Sequence, residues 1–238
     1  MKNILKLSAL AAVIAATAMY ASADPLPPDT IQLGSYATGW SNMGNANTAM
    51  NFAAFNSTSS TPTWGTGSSF YENPSNVWSA ALPNSTWVGS TSTSGPVGTV
   101  NPDFGFYTYT TNFSALMPFY SGTLSVLADD TTAVYLNGNL LIPAGALGTD
   151  THCADKAPTC GVVDTVSLHG VALMSGMDAN TLTFVVQQAG TGPVGGTGDP
   201  SGVDFNASLT SVPEPSTLMM LGTGLLGSAG ALFRRMRS

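Results

Sequence analysis

Apolar and polar residues alternate along the middle of this chain and stop alternating at both ends. Alternation with a period of two puts successive side chains on opposite faces of a strand. The clearest case begins at Asp103. Phe104 and Phe106 share one face, while Tyr107, Tyr109 and Phe113 share the other. Ser121–Ala128 follows, with Leu124, Val126 and Ala128 on one side. Thr132–Leu136 and Asn139–Ile142 flank Asn137-Gly138, the strongest short hairpin signal. Val162–Leu168, Thr181–Gln187 and Val203–Leu209 predict three later strands, and Thr30–Ala37 and Thr48–Phe55 two earlier ones. Trp78 reads as an apolar anchor in the mixed stretch Phe70–Ala81, and Met174–Ala179 as a short helical turn. Asn56–Gly67, Gly89–Gly98 and Gly190–Gly202 are rich in Gly, Ser and Thr and predict loops. Strands at this spacing with little helical periodicity predict an all-β chain, a single β-sandwich or jelly roll.

The two ends carry a different pattern. Lys2 and Lys6 precede an apolar run, Leu7–Tyr20, and then Ala21-Ser22-Ala23. A basic start, a short apolar core and small residues at Ala21 and Ala23 predict a secretory signal over residues 1–23, cut by signal peptidase before Asp24. At the other end Pro213-Glu214-Pro215 precedes an uncharged run, Thr217–Phe233, and then Arg234, Arg235 and Arg237. Seventeen helical residues rise roughly 26 Å, short but sufficient for a bilayer core of about 30 Å. The run predicts a transmembrane helix over 217–233. The arginines act as a stop that stays on the cytoplasmic side and leaves the rest outside. A buried amphipathic helix is the competing reading, and a run that is apolar all round fits it poorly. Pro213 and Pro215 fix φ and disfavour helix before them, so the motif should be extended and open to a protease. The expected organisation is a signal peptide at 1–23, one β domain at 24–212 and a sorting tail at 213–238.

Removing the ends changes the charge balance. The body keeps twelve acids and a single cation, Lys156, a formal charge of −11. Such a chain is unsuited to nucleic acid, which needs Lys and Arg to displace counterions. Neutral sugars, or anionic ones bridged by Ca²⁺, are compatible partners. Cys153 and Cys160 are the only cysteines, and in an exported chain they should form a disulfide around Ala154–Thr159. The competing reading is a metal site built from His152, Cys153, Cys160 and His169.

Candidate chemistry is sparse. Asp129-Asp130 reads as a turn, either solvated or contributing to a Ca²⁺ site with Asp204 and backbone carbonyls, since calcium needs six to eight oxygens. Asp199–Asp204 is a second acidic stretch with the same two readings, and no EF-hand loop is present. Trp64, between Thr63 and Gly65, is the tryptophan placed to offer an exposed plane to a sugar, whereas Trp87 should pack in the core. His169 reads as a strand end, and Glu72 carries no mark of an acid with a raised pKa. Neither histidine belongs to a G-x-S-x-G or H-E-x-x-H motif, so the chain is expected not to be an enzyme.

Two resemblances add to this reading. Val212–Ser238, with its Pro-Glu-Pro triplet, Gly-rich apolar run and Arg-rich end in order, resembles the PEP-CTERM sorting signal of Gram-negative bacteria. The resemblance implies recognition at the inner membrane by an exosortase, a membrane cysteine protease that cuts near Pro213–Pro215. It also implies a link to exopolysaccharide and biofilm. Trp87, the aromatic run Tyr107–Phe113, Gly122–Asp130, Val134–Gly138 and Asn180–Gln188 look like the progression in galactose-binding-like jelly-roll domains. The expected product is an exported, exosortase-processed surface or matrix protein that associates with exopolysaccharide without catalysis. The alternatives are a secreted polysaccharide hydrolase and a structural coat protein with no ligand.

Overall fold

The structure is a computed structural model and describes residues 28–37, 51–56, 59–61, 67–98, 101–147, 153–189 and 198–212, together with Gly224 and Gly227. The signal peptide, Trp40, Trp64, His152, the Pro-Glu-Pro triplet and the terminal arginines lie outside the described residues. Gly224 and Gly227 are helical, and among the described residues no helix is long and apolar enough to cross a membrane. The chain divides into two compact units, one made of Met1–Pro28 with Val212–Ser238 and the other of Asp29–Ser211.

Asp29–Ser211 is all-β. Its strands are β1 (Thr30–Gly34), β2 (Asn51–Asn56), β3 (Phe70–Tyr71), β4 (Val88–Gly89), β5 (Gly105–Ala115), β6 (Phe119–Asp129), β7 (Thr131–Leu136), β8 (Asn139–Ile142), β9 (Asp164–Ala172), β10 (Gly176–Gln188) and β11 (Gly202–Ser211). One sheet runs β3-β4-β11-β6-β9, with β1 also paired to β11, and the other runs β2-β5-β10-β7-β8. From β5 onward the chain passes repeatedly between the sheets, and the pairings are antiparallel.

Alternation decides which faces meet. In β6, Leu124, Val126 and Ala128 turn inward opposite Ala207, Phe205 and Val203 of β11. In the second sheet Phe184 pairs with Tyr109 on one side and Val134 on the other, and all three are buried in the same core. Phe184 and Phe205 meet across the sheets with ring centroids 4.5 Å apart, so one core joins both layers. Each such ring, fully removed from water, contributes roughly 1.5–3 kcal/mol. The Asn137-Gly138 turn forms as expected, with φ of 50° and 81°, the left-handed pair that a two-residue hairpin requires.

Two local expectations are corrected. Met174–Ala179 holds no helical turn, because β10 begins at Gly176. Gly176 and Asp178 take φ of 133° and 50°, which bulges the strand, and buried Asn180 ties the preceding loop through both Met174 N–H and Met174 C=O. His169 is not a strand end but lies inside β9. Asp204 lies in β11, within the strand expected over Val203–Leu209, opposite Leu127.

Candidate functional site

β6 and β10 end, and β5, β7, β9 and β11 begin, at the same end of the sandwich. Five carboxylates gather in or beside this acidic end and are buried: Glu72, Asp129, Asp130, Asp199 and Asp204. The formal charge of −11 is therefore not a description of the surface. A buried carboxylate must be matched by donors or it costs several kcal/mol. Lys156 is the body's only cation, so N–H and O–H groups of loops and neighbouring strands take on much of that task.

Most of these residues fasten a loop or a neighbouring strand. Asp129 lies on the outer face of β6 beside Leu127, where its Oδ2 accepts the indole N–H of Trp78. Trp78 stacks on Trp87 at 4.3 Å, and the two form a second apolar cluster with Leu127 and Cys160. Gly202 makes this possible, since a Cβ there would lie 2.7 Å from the Trp78 ring. Asp130 bridges the two sheets: its backbone N–H donates to Gln187 C=O, and its Oδ2 accepts from Ala189 N–H at 2.6 Å. Asp199 is seated by its own N–H, which donates to Asn101 Oδ1 at 3.0 Å. Asp204 accepts from Ser35 Oγ–H at 2.8 Å through one oxygen and from Leu82 N–H at 2.6 Å through the other. It joins β1 and the 82–86 loop to β11. Burial pushes its carboxyl above the ordinary range, against the pull of its donors on Ser85, Leu82, Ser35 and Phe205.

Glu72 corrects the sequence reading most clearly. Burial raises its carboxyl to about 7, opposed by the Ser94 hydroxyl and the N–H groups of Gly95 and Ser94. The loop closes tightly around it: a Cβ on Gly95 would lie 2.4 Å from Glu72 Oε2, and one on Gly89 would lie 2.8 Å from Oε1. A perturbed acid is often a functional one. This one is sealed by backbone and holds a loop in place.

The sequence offered Asp129, Asp130 and Asp204 either as part of a calcium site or, for Asp129-Asp130, as a solvated turn. The structure buries all three, but it gives them separate tasks and occupies both oxygens of Asp204. The solvated-turn reading of Asp129-Asp130 is corrected, since both side chains are buried. Among the described residues no three His, Cys, Asp or Glu side chains are grouped to hold a metal ion. Cys153 and Cys160 form a disulfide, and Cys160 packs on the tryptophan pair. Trp78 and Trp87 are core residues. Sequence reasoning missed two aromatics that are exposed, Phe70 and Tyr71 on the short strand β3 at the margin of its sheet. Their signal was an adjacent aromatic pair just before a buried Glu.

No curated protein matches the chain. Among solved structures it is similar to the native structure of a family 35 carbohydrate binding module from Clostridium thermocellum. That similarity is 13% identity over 59% of this chain and 86% of that one, with a TM-score of 0.30. It is also similar to a β-glucosidase from Kluyveromyces marxianus, at 16% identity over 63% of this chain and 17% of that one, with a TM-score of 0.26. Likenesses this distant bear on neither activity nor ligand. The tail is different: residues 211–237 match the family model of the PEP-CTERM protein-sorting motif, and the chain carries that motif.

Proposed function

We propose that this chain is an exported protein whose β-sandwich is held at the membrane by residues 217–233 and cut by an exosortase at Pro213-Glu214-Pro215. The body is then delivered to the cell surface or the extracellular matrix. The observation that carries this is the sorting-motif match over 211–237. Its first residue, Ser211, is also the last residue of β11. A cut within 213–215 would therefore leave all eleven described strands intact. The test is fractionation of the native host with and without its exosortase. The parent strain should carry a body shortened by the tail at its surface or in the medium. The deletion strain should keep a longer form in the membrane. Equal size and location in both strains would overturn the reading.

The delivered body acts without catalysis and associates with neutral exopolysaccharide. Burial of Glu72, Asp129, Asp130, Asp199 and Asp204 keeps these carboxylates from reaching a substrate, which weighs against hydrolysis. The exposed ring of Tyr71 supplies an apolar plane on which a sugar ring can stack. The body should be retarded in a polysaccharide gel, release no reducing ends, and lose the retardation in Tyr71→Ala. Release of reducing ends would favour the hydrolase reading, and silence in both assays the coat-protein reading.

A further inference from the structure

At the end of the sandwich opposite the acidic one, β5 turns into β6 and β9 into β10. The two turns adjoin, because Ala115 pairs with Gly176, Phe119 pairs with Ala172, and Leu173 N–H donates to Pro118 C=O. They present Leu116, Phe119, Met174 and Met177 to solvent, 76%, 43%, 53% and 88% exposed. Apolar groups gathered on two touching turns mark an interaction surface more than scattered single ones do.

Both ends of the body emerge here. Thr30 pairs with Thr210, and Ser211 is tied to Asp29 by two hydrogen bonds, Ser211 N–H to Asp29 C=O and Asp29 N–H to Ser211 Oγ, both 2.8 Å. Asp29 also accepts from the buried Tyr120 hydroxyl, which in turn accepts the N–H groups of Leu116 and Met117. The exit of the chain and the apolar turns are thus one fastened assembly. From Ser211 to Thr217, where the apolar run starts, is six residues, a reach of roughly 20 Å when fully extended.

We propose that, before it is cut, the body rests this exit end on the lipid bilayer, with Leu116, Phe119, Met174 and Met177 entering the interface. The proposal rests on the reading of 217–233 as a membrane anchor. The short reach holds the turns close to the lipid, and apolar side chains gain by entering it. Charge points the same way. Asp29 and Asp178 are the acids at the exit end, and the other eight described acids sit in the opposite half. An anionic lipid surface repels that half and leaves the apolar end facing the membrane. Seating the exit end on lipid also fixes the height at which the Pro-Glu-Pro triplet meets a membrane protease.

The test uses the full chain reconstituted in phosphatidylcholine vesicles, with a nitroxide on one introduced cysteine at a time: Leu116→Cys, Met177→Cys, Leu225→Cys, and Val162→Cys as the acidic-end control. Collision rates with oxygen and with a water-soluble nickel chelate report depth. At 116, 177 and 225 oxygen should win, and at 162 the chelate should. Immersion at 225 with aqueous 116 and 177 would overturn the proposal while leaving the anchor standing. An aqueous 225 would remove the anchor and the proposal with it. Spin–spin broadening at 116 that vanishes on dilution with unlabelled chain would assign the patch to a second copy, which also overturns it.

Discussion

The two ends of the sandwich reverse the usual arrangement in opposite senses. At the acidic end the polar groups are inside: Asp129, Asp130, Asp199 and Asp204 are buried, and the loops around them are pinned down. At the exit end apolar groups are outside, on turns whose N–H groups donate to Tyr120 and Asn180. Burying charge has a cost that only matched donors offset, and exposing apolar surface has a cost that only a partner offsets. The comparison teaches that the acids serve the fold and that the exit end is where an outside partner is wanted.

Substitutions at the acidic end should cost the most stability. Trp87→Ala removes a fully buried ring from the cluster that seats the acidic-end loops, and should lower stability by about 3–5 kcal/mol in chemical denaturation. Cys153→Ser opens the disulfide loop, whose eight residues make it worth roughly 2–3 kcal/mol in the chain-entropy account, measurable as a shift in denaturation midpoint. Asp204→Ala leaves Ser35 Oγ–H and Leu82 N–H without their acceptor, and should lower stability by about 1–3 kcal/mol.

Smaller effects bear on the same two ends. Glu72 has a folded-state pKa of about 7 against an ordinary 4.5, so between those values the folded protein keeps a proton that the unfolded chain releases. Its contribution to stability is therefore present below pH 4.5 and lost as pH rises through 7. Tm should fall by a few degrees between pH 5 and pH 8, at roughly 2–4 °C per kcal/mol, and Glu72→Gln should flatten that slope. Asp204, also raised, acts in the same direction. Leu116→Ser, at the exit end, should change stability by less than about 0.5 kcal/mol, since an exposed side chain there supports nothing in the fold.

Much of the fold was legible because strands announce themselves locally. The Asn137-Gly138 turn, the aromatic alternation of β5 and the inward row Leu124, Val126 and Ala128 needed only near neighbours to be read. What failed depended on distant partners. Asp129-Asp130 looked like a solvated turn because the Trp78 indole that meets Asp129 lies 51 residues away. The Ser94 hydroxyl that meets Glu72 lies 22 residues on, in a Gly-rich loop that looked merely flexible. Met174–Ala179 has the composition of a helical turn, and only the clamp from Asn180 and the left-handed Asp178 made it a bulged strand. The apolar turns were invisible for a related reason. Leu116 and Phe119 lie between the predicted strands, and their exposure together follows only from the strand ends meeting on one side of the sandwich.

The central claim is that the body leaves its tail behind at the motif directly after β11. Intact-mass measurement of the protein purified from its native host tests this most directly. The account predicts a chain that begins at Asp24 and ends within Pro213–Pro215, whether free or carrying an added group. A mass that still contains residues 216–238 would contradict it.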